Sequence, residues 1–193
     1  ETMDATSGVD IVALAPVGTS GDLYVAFQIS GTVRVTDAVG TTSDLPAAPD
    51  EGFGIASLVS TGTARWVRQV TGPGSQRVHG VALTPSGELL VAGSFSSEVR
   101  LVTRRVVADG SYIGGFVGRF DLSGVARAEV YFDNYAPQSI AADAAGDFYV
   151  AGWIDGTANI GGSSFTGEFL PILASYSSAF ESRWVRALPT TGS

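Results

Sequence analysis

The only histidine in the chain, His79, is the first residue whose chemistry has to be weighed. Imidazole near neutral pH can act as a base, a proton shuttle or a metal ligand. A single copy excludes a multi-histidine metal site within one chain. The sequence register places His79 on the first strand of a repeated unit, with Ala13 and Gln138 at the equivalent places in the sister units. A position filled by His, Ala and Gln tolerates many side chains. His79 therefore reads as a packed or rim residue facing a central axis, ahead of a catalytic one.

Carboxylates and arginines supply the other candidates. Asp143 and Asp147 flank a turn and Asp155 follows the next strand, a set that could contribute oxygens to calcium. Calcium takes six to eight oxygens, commonly from a dense Asp/Asn loop. The spacing here suits side chains that bond their own turn backbone, and turn chemistry is the stronger reading. Arg104 and Arg105 form a basic doublet in a long inter-strand segment, the candidate contact for an anionic glycan or an acidic protein patch. Their plainer role is a solvated charge or an ion pair. No G-x-S-x-G elbow occurs, and the glycine-rich EGFGIAS falls on an expected strand. The absence of Cys removes disulfides, thiolate metal sites and Cys nucleophiles. No catalytic constellation and no cofactor are expected.

Composition narrows the partners. The net charge is −8, and every one of the 11 basic residues is Arg. Without a basic cluster the chain is a poor binder of nucleic acid and of anionic lipid. Its apolar runs are too short to span a membrane as a helix of ~20 residues.

The elements that would hold these residues come from a repeat. SGDLYVAF at 20–27, SGELLVAG at 86–93 and AGDFYVAG at 145–152 are near copies. Each pairs a turn glycine, able to take φ > 0, with a strand that carries no charge on either face. Such a strand lies between two packed layers. Each octet follows a short alternating segment and precedes a second strand pair ending in Trp66, Ala128 or Trp184 at equivalent places. Strand-and-turn chemistry predicts four antiparallel strands per unit, at 11–17, 23–29, 54–60 and 64–70 in the first. The whole chain, 1–193, reads as one repeat region with units at about 9–70, 77–132 and 137–188. Four antiparallel strands recurring every ~40–60 residues is the pattern of a β-propeller blade.

VALTPSGELLVAGSF, GGFVGRFDLSGVAR and AADAAGDFYVAGWIDGTANIGG together resemble the roughly sixty-residue bacterial propeller repeat of the SBBP type. The likeness covers about 9–188, with Phe27 in place of the final glycine of the phrase and Ala128 in place of a strand-ending Trp. It implies an all-β fold of three four-stranded antiparallel propeller blades, and a secreted or cell-surface bacterial protein. Three blades do not close a ring, so further blades from the same or another chain are expected. They would come from a longer ring, from two copies making six blades, or from an open stack. The function expected is a non-enzymatic extracellular interaction module that binds protein or glycan through its variable segments, 31–52, 97–114 and 156–168. The alternative is a structural subunit that self-assembles into a particle or filament. A propeller hydrolase or lyase ranks third.

Overall fold

The computed structural model describes residues 8–36, 42–45, 50–102, 104–108 and 113–188. These residues form sixteen strands and no helix. Strands β1 (Val9–Val17) and β2 (Asp22–Ile29) lead into a small ribbon, β3 (Val33–Thr36) with β4 (Thr42–Leu45). β5 (Gly52–Leu58) and β6 (Ala64–Val70) then complete a first antiparallel sheet in the order β1-β2-β5-β6. The second sheet repeats the plan. β7 (Gln76–Leu83) and β8 (Leu89–Phe95) precede the ribbon β9 (Glu98–Arg100) with β10 (Arg105–Val107), and β11 (Gly114–Phe120) and β12 (Ala126–Phe132) close it. The third sheet is β13 (Tyr135–Ala142), β14 (Phe148–Ile160), β15 (Ser163–Tyr176) and β16 (Ser182–Ala187). The described residues thus build three four-stranded antiparallel sheets, with no closed ring of sheets.

Each of the segments expected to be variable loops contains paired backbone: Val33–Thr36 with Thr42–Leu45, Glu98–Arg100 with Arg105–Val107, and 156–160 with 163–167. In the third unit the register continues past a bulge, from Gly156↔Gly167 to Ile160↔Ser163, so 156–168 is the tip of one long hairpin. The expected segments 31–52 and 97–114 lie partly outside the described residues, as do the two ends of the 1–193 region.

The sheets stack through the faces of their second strands. Tyr24, Ala26, Phe53 and Ile55 of sheet one share a core with Leu89, Val91, Phe116 and Phe120 of sheet two. The Phe53 and Phe116 rings stack at 5.5 Å. Leu90, Ala92 and Val117, on the other face of sheet two, meet Phe148, Val150, Ile172 and Ala174 of sheet three. Every residue of β8 is buried, as a strand apolar on both faces must be. The third copy departs from this expectation: Ala151, equivalent to the buried Ala26 and Ala92, is exposed. Nothing among the described residues covers that face.

Neighbouring sheets are also locked at the turns joining their last two strands. The Trp66 indole N–H of β6 donates to the Leu122 carbonyl in the β11–β12 turn at 2.8 Å, and Arg68 donates to the Ser123 carbonyl at 3.0 Å. Gly124 of that turn has φ +76, and a Cβ there would lie 2.7 Å from the Trp66 ring. Between sheets two and three the partners change. Ala128 faces Arg119 across the register, and Arg119 donates to the Ser178 carbonyl at 3.0 Å while stacking on Phe180. Phe180 holds the place of Gly124 at φ 66, and Ser178 that of Leu122. Arg with Phe therefore replaces Trp with Gly, which accounts for the missing middle tryptophan.

The turn glycines Gly21, Gly87 and Gly146 all have positive φ, at 78°, 82° and 83°. Gly87→Val and Gly146→Val should each cost ~1–3 kcal/mol in urea unfolding, because a β-branched residue is strained there. Val91 is fully buried between sheets one and two. Val91→Asp is expected to cost more than ~4 kcal/mol, measured by thermal melting, by burying an unpaired charge.

Candidate functional site

The first strands of the three sheets share one irregularity. Their registers slip between Ile11 and Ala13, between Val78 and Gly80, and between Pro137 and Ser139. The residues at the slips are Val12, His79 and Gln138. This corrects the sequence register, which set Ala13 beside His79: the first unit carries one more turn residue, and Ala13 pairs Ala26 as Gly80 pairs Ala92. A bulge re-aims the side chain at the extra residue and is common beside binding sites.

His79 and Gln138 line a cavity of about 400 Å³ between sheets two and three. β7 also contributes Arg77, with Ser75 just before it, and the end of β8 contributes Ser94, Phe95 and Ser96. Ile113, Ala136 and Trp153 complete the wall. His79 Nε2 lies 2.8 Å from the Ser94 hydroxyl. Burial, and then the nearby Arg77 charge, push the His79 imidazole below its ordinary value, which favours the neutral ring. Arg77 is neutralised in turn by Glu51 at 2.7 Å. The cavity wall is more apolar than polar, with a few polar groups set into it, and its Arg77 charge is paired.

The His79–Ser94 pair has the spacing of a base and a nucleophile. Ser94 is nonetheless 7% exposed on a paired strand, and among the described residues no carboxylate bonds the imidazole to fix its tautomer. What the arrangement offers is donors and acceptors beside an aromatic wall, suited to holding a polar ligand.

The residues singled out from sequence lie elsewhere. Arg105 pairs with Glu98 across the β9–β10 ribbon at 2.6 Å, Arg104 is exposed beside it, and neither lines the cavity. One Asp143 carboxylate oxygen accepts the Ala145 and Asp147 amides, and the other accepts the Tyr149 hydroxyl. Asp121 binds the Ser123 and Val125 amides in the same way, so this is a recurrent turn device. Loss of water pushes the Asp143 carboxyl up, but the amide and Tyr149 hydrogen bonds outweigh this and hold it below the usual range. Asp147 takes the Ser178 amide and the Arg183 guanidinium, as Asp22 takes Ser60 and Arg65 in sheet one. Asp155 lies eight residues further along β14, about 25 Å away at the rise of a strand. The three aspartates thus cannot form one calcium site, and no group of three His, Cys, Asp or Glu side chains that could hold a metal occurs among the described residues.

The sequence reading named His79 and Gln138 only as equivalent positions without a binding role, and did not single out Ser94 or Trp153. Ser94, the one polar residue near the end of an otherwise apolar strand, was the available signal; the bulge that turns His79 inward was not visible.

No family model matches the chain, and no curated protein matches it. Among solved structures, a protein of unknown function from Bacteroides caccae is similar at 12% identity and a TM-score of 0.29, covering 93% of this chain and 82% of its own.

The depressed His79 pKa has a sign that can be tested. The unfolded state binds the proton more readily, so stability is full above the ordinary value of 6.5 and falls as pH drops through the lower folded value. His79→Gln, which installs the residue of the third unit, should flatten that part of the melting temperature–pH curve and leave the rest unchanged.

Proposed function

We propose that the protein is a non-enzymatic interaction module built on propeller-type blades and displayed outside a bacterial cell. Its ligand is a neutral saccharide or glycan end bound in the cavity between sheets two and three. The observation that carries this reading is the cavity itself, whose about 400 Å³ falls in the range of ligand pockets. Its lining supports it. Serine hydroxyls, the Gln138 amide and a neutral His79 match the mixed donors and acceptors of sugar hydroxyls. Trp153 adds an amphipathic ring against which the apolar face of a sugar can lie. The pairing of Arg77 with Glu51 weighs against a strongly anionic ligand.

A panel of neutral mono- and disaccharides titrated by calorimetry tests the reading. At least one should bind, and Trp153→Ala and Gln138→Ala should each weaken it tenfold or more without shifting the melting temperature. Absence of binding across the panel, or variants that bind as well as the parent, would refute it. A structural role is the second reading, favoured by the uncovered face of sheet three.

A further inference from the structure

We infer that the uncovered face of sheet three is a docking surface for a fourth four-stranded sheet of the same repeat. Its recognition element is the Trp184–Arg186 pair, and the inference rests on the reading of the units as repeated blades.

Sheets one and three carry the same constellation at the same register. Trp66 faces Ser57 and Arg68 faces Ile55 in sheet one; Trp184 faces Ser175 and Arg186 faces Leu173 in sheet three. Tyr24 lies 5.7 Å from Trp66 at 46°, and Tyr149 lies 6.2 Å from Trp184 at 45°. In sheet one this set is engaged: Trp66 and Arg68 hold the two carbonyls of the next sheet's turn, and Tyr24, Ala26 and Ile55 are buried against it. In sheet three it is free. Trp184 is 36% exposed, Ala151 and Arg186 are exposed, and Leu173 and Tyr149 are half-buried.

The clamp specifies what it takes. A tryptophan clamp requires a turn with a glycine at its fourth position, because a side chain at Gly124 would enter the Trp66 ring. The arginine clamp of sheet two accepts Phe180 there instead. The occupant of sheet three is therefore a sheet whose last turn resembles Asp121–Val125, with apolar residues at the equivalents of Leu89, Val91 and Phe116. A second copy of the chain does not offer a free sheet of this kind. Sheet two is covered on both faces and sheet three is packed on sheet two; on the remaining face of sheet one the central-strand residues Val25, Phe27 and Ile29 are already buried at 3%, 1% and 0% exposure, so that only its edge, with Ile11 and Leu14 on β1, is open.

The test joins a second copy of residues 71–132 directly after Leu188 of the full chain, since Leu188 stands opposite Pro171 as Val70 stands opposite Phe53. The fused chain should melt in one transition several degrees above the parent, with the appended stretch resistant to limited proteolysis. Trp184→Ala in the fused chain should release that stretch to protease, whereas Trp184→Ala in the 193-residue chain should leave its melting temperature nearly unchanged. Two results overturn the inference. One is an appended stretch cleaved equally with and without Trp184. The other is a 193-residue chain that sediments as a dimer dissolved by Trp184→Ala, which would make the occupant a second copy. Neither result depends on saccharide binding, so failure of the docking surface and failure of the ligand reading are separable.

Discussion

Two-sided burial of the second strand is the constraint from which the rest of the structure follows. A strand with no charge on either face is stable only if both faces are covered, since each apolar side chain left in water forfeits about 1.5–3 kcal/mol. β8 satisfies this completely because it lies between sheets one and three. β2 satisfies it with sheet two on one side and the cluster of Val25, Phe27, Ile29, Val33 and Ala56 on the other. β14 satisfies it on one side only. The sheets are consequently not independent units: each supplies the cover its neighbour lacks, as in other repeat architectures.

The cavity is a by-product of this stacking. Sheets packed face to face need close-fitting small residues, and glycine supplies one at Gly115 of β11, where a Cβ would strike the Tyr135 carbonyl and Pro137 of sheet three. Where the first strands bulge, the fit opens and polar side chains replace apolar ones. His79, Gln138 and Ser94 are therefore held by the rigid edges of two sheets and not by the excursions. That placement favours a pre-formed site, with the ordering cost already met by the fold.

Much of the architecture was legible in the residues. The turn glycines, the charge-free strands and the four-strand count per unit follow from local chemistry, and the equivalence of Trp66, Ala128 and Trp184 holds in the pairing. Register beyond the repeat was less legible. The sequence aligned Ala13 with His79 because it counted back from the glycine, and one additional residue before Gly21 moved Val12 into that place. The excursions read as loops because Gly, Ser and Thr dominate 156–168, yet Ala158 and Ile160 are buried in the core cluster that includes Val185 of β16, and that burial keeps the hairpin paired to its tip. The site was least legible, since it depends on residues from two sheets meeting at bulges and no single segment records it.

The middle unit shows why a repeat can lose a conspicuous residue without losing its plan. With Ala128 alone, the junction between sheets two and three would lack the donor that Trp66 supplies to Leu122. Arg119, on the strand facing Ala128, supplies it from the neighbouring position, and its guanidinium stacks on the ring of Phe180. The Trp junction needs a bare turn residue under the indole; the Arg junction needs a flat ring under the guanidinium. The two solutions are not interchangeable piecewise, because Trp over Phe would overlap and Arg over Gly would lose its stacking partner. Phe180 consequently holds a positive φ of 66°, a conformation costly for a bulky residue and kept because the junction requires a ring there. The chain has therefore fixed, junction by junction, which sheet follows which.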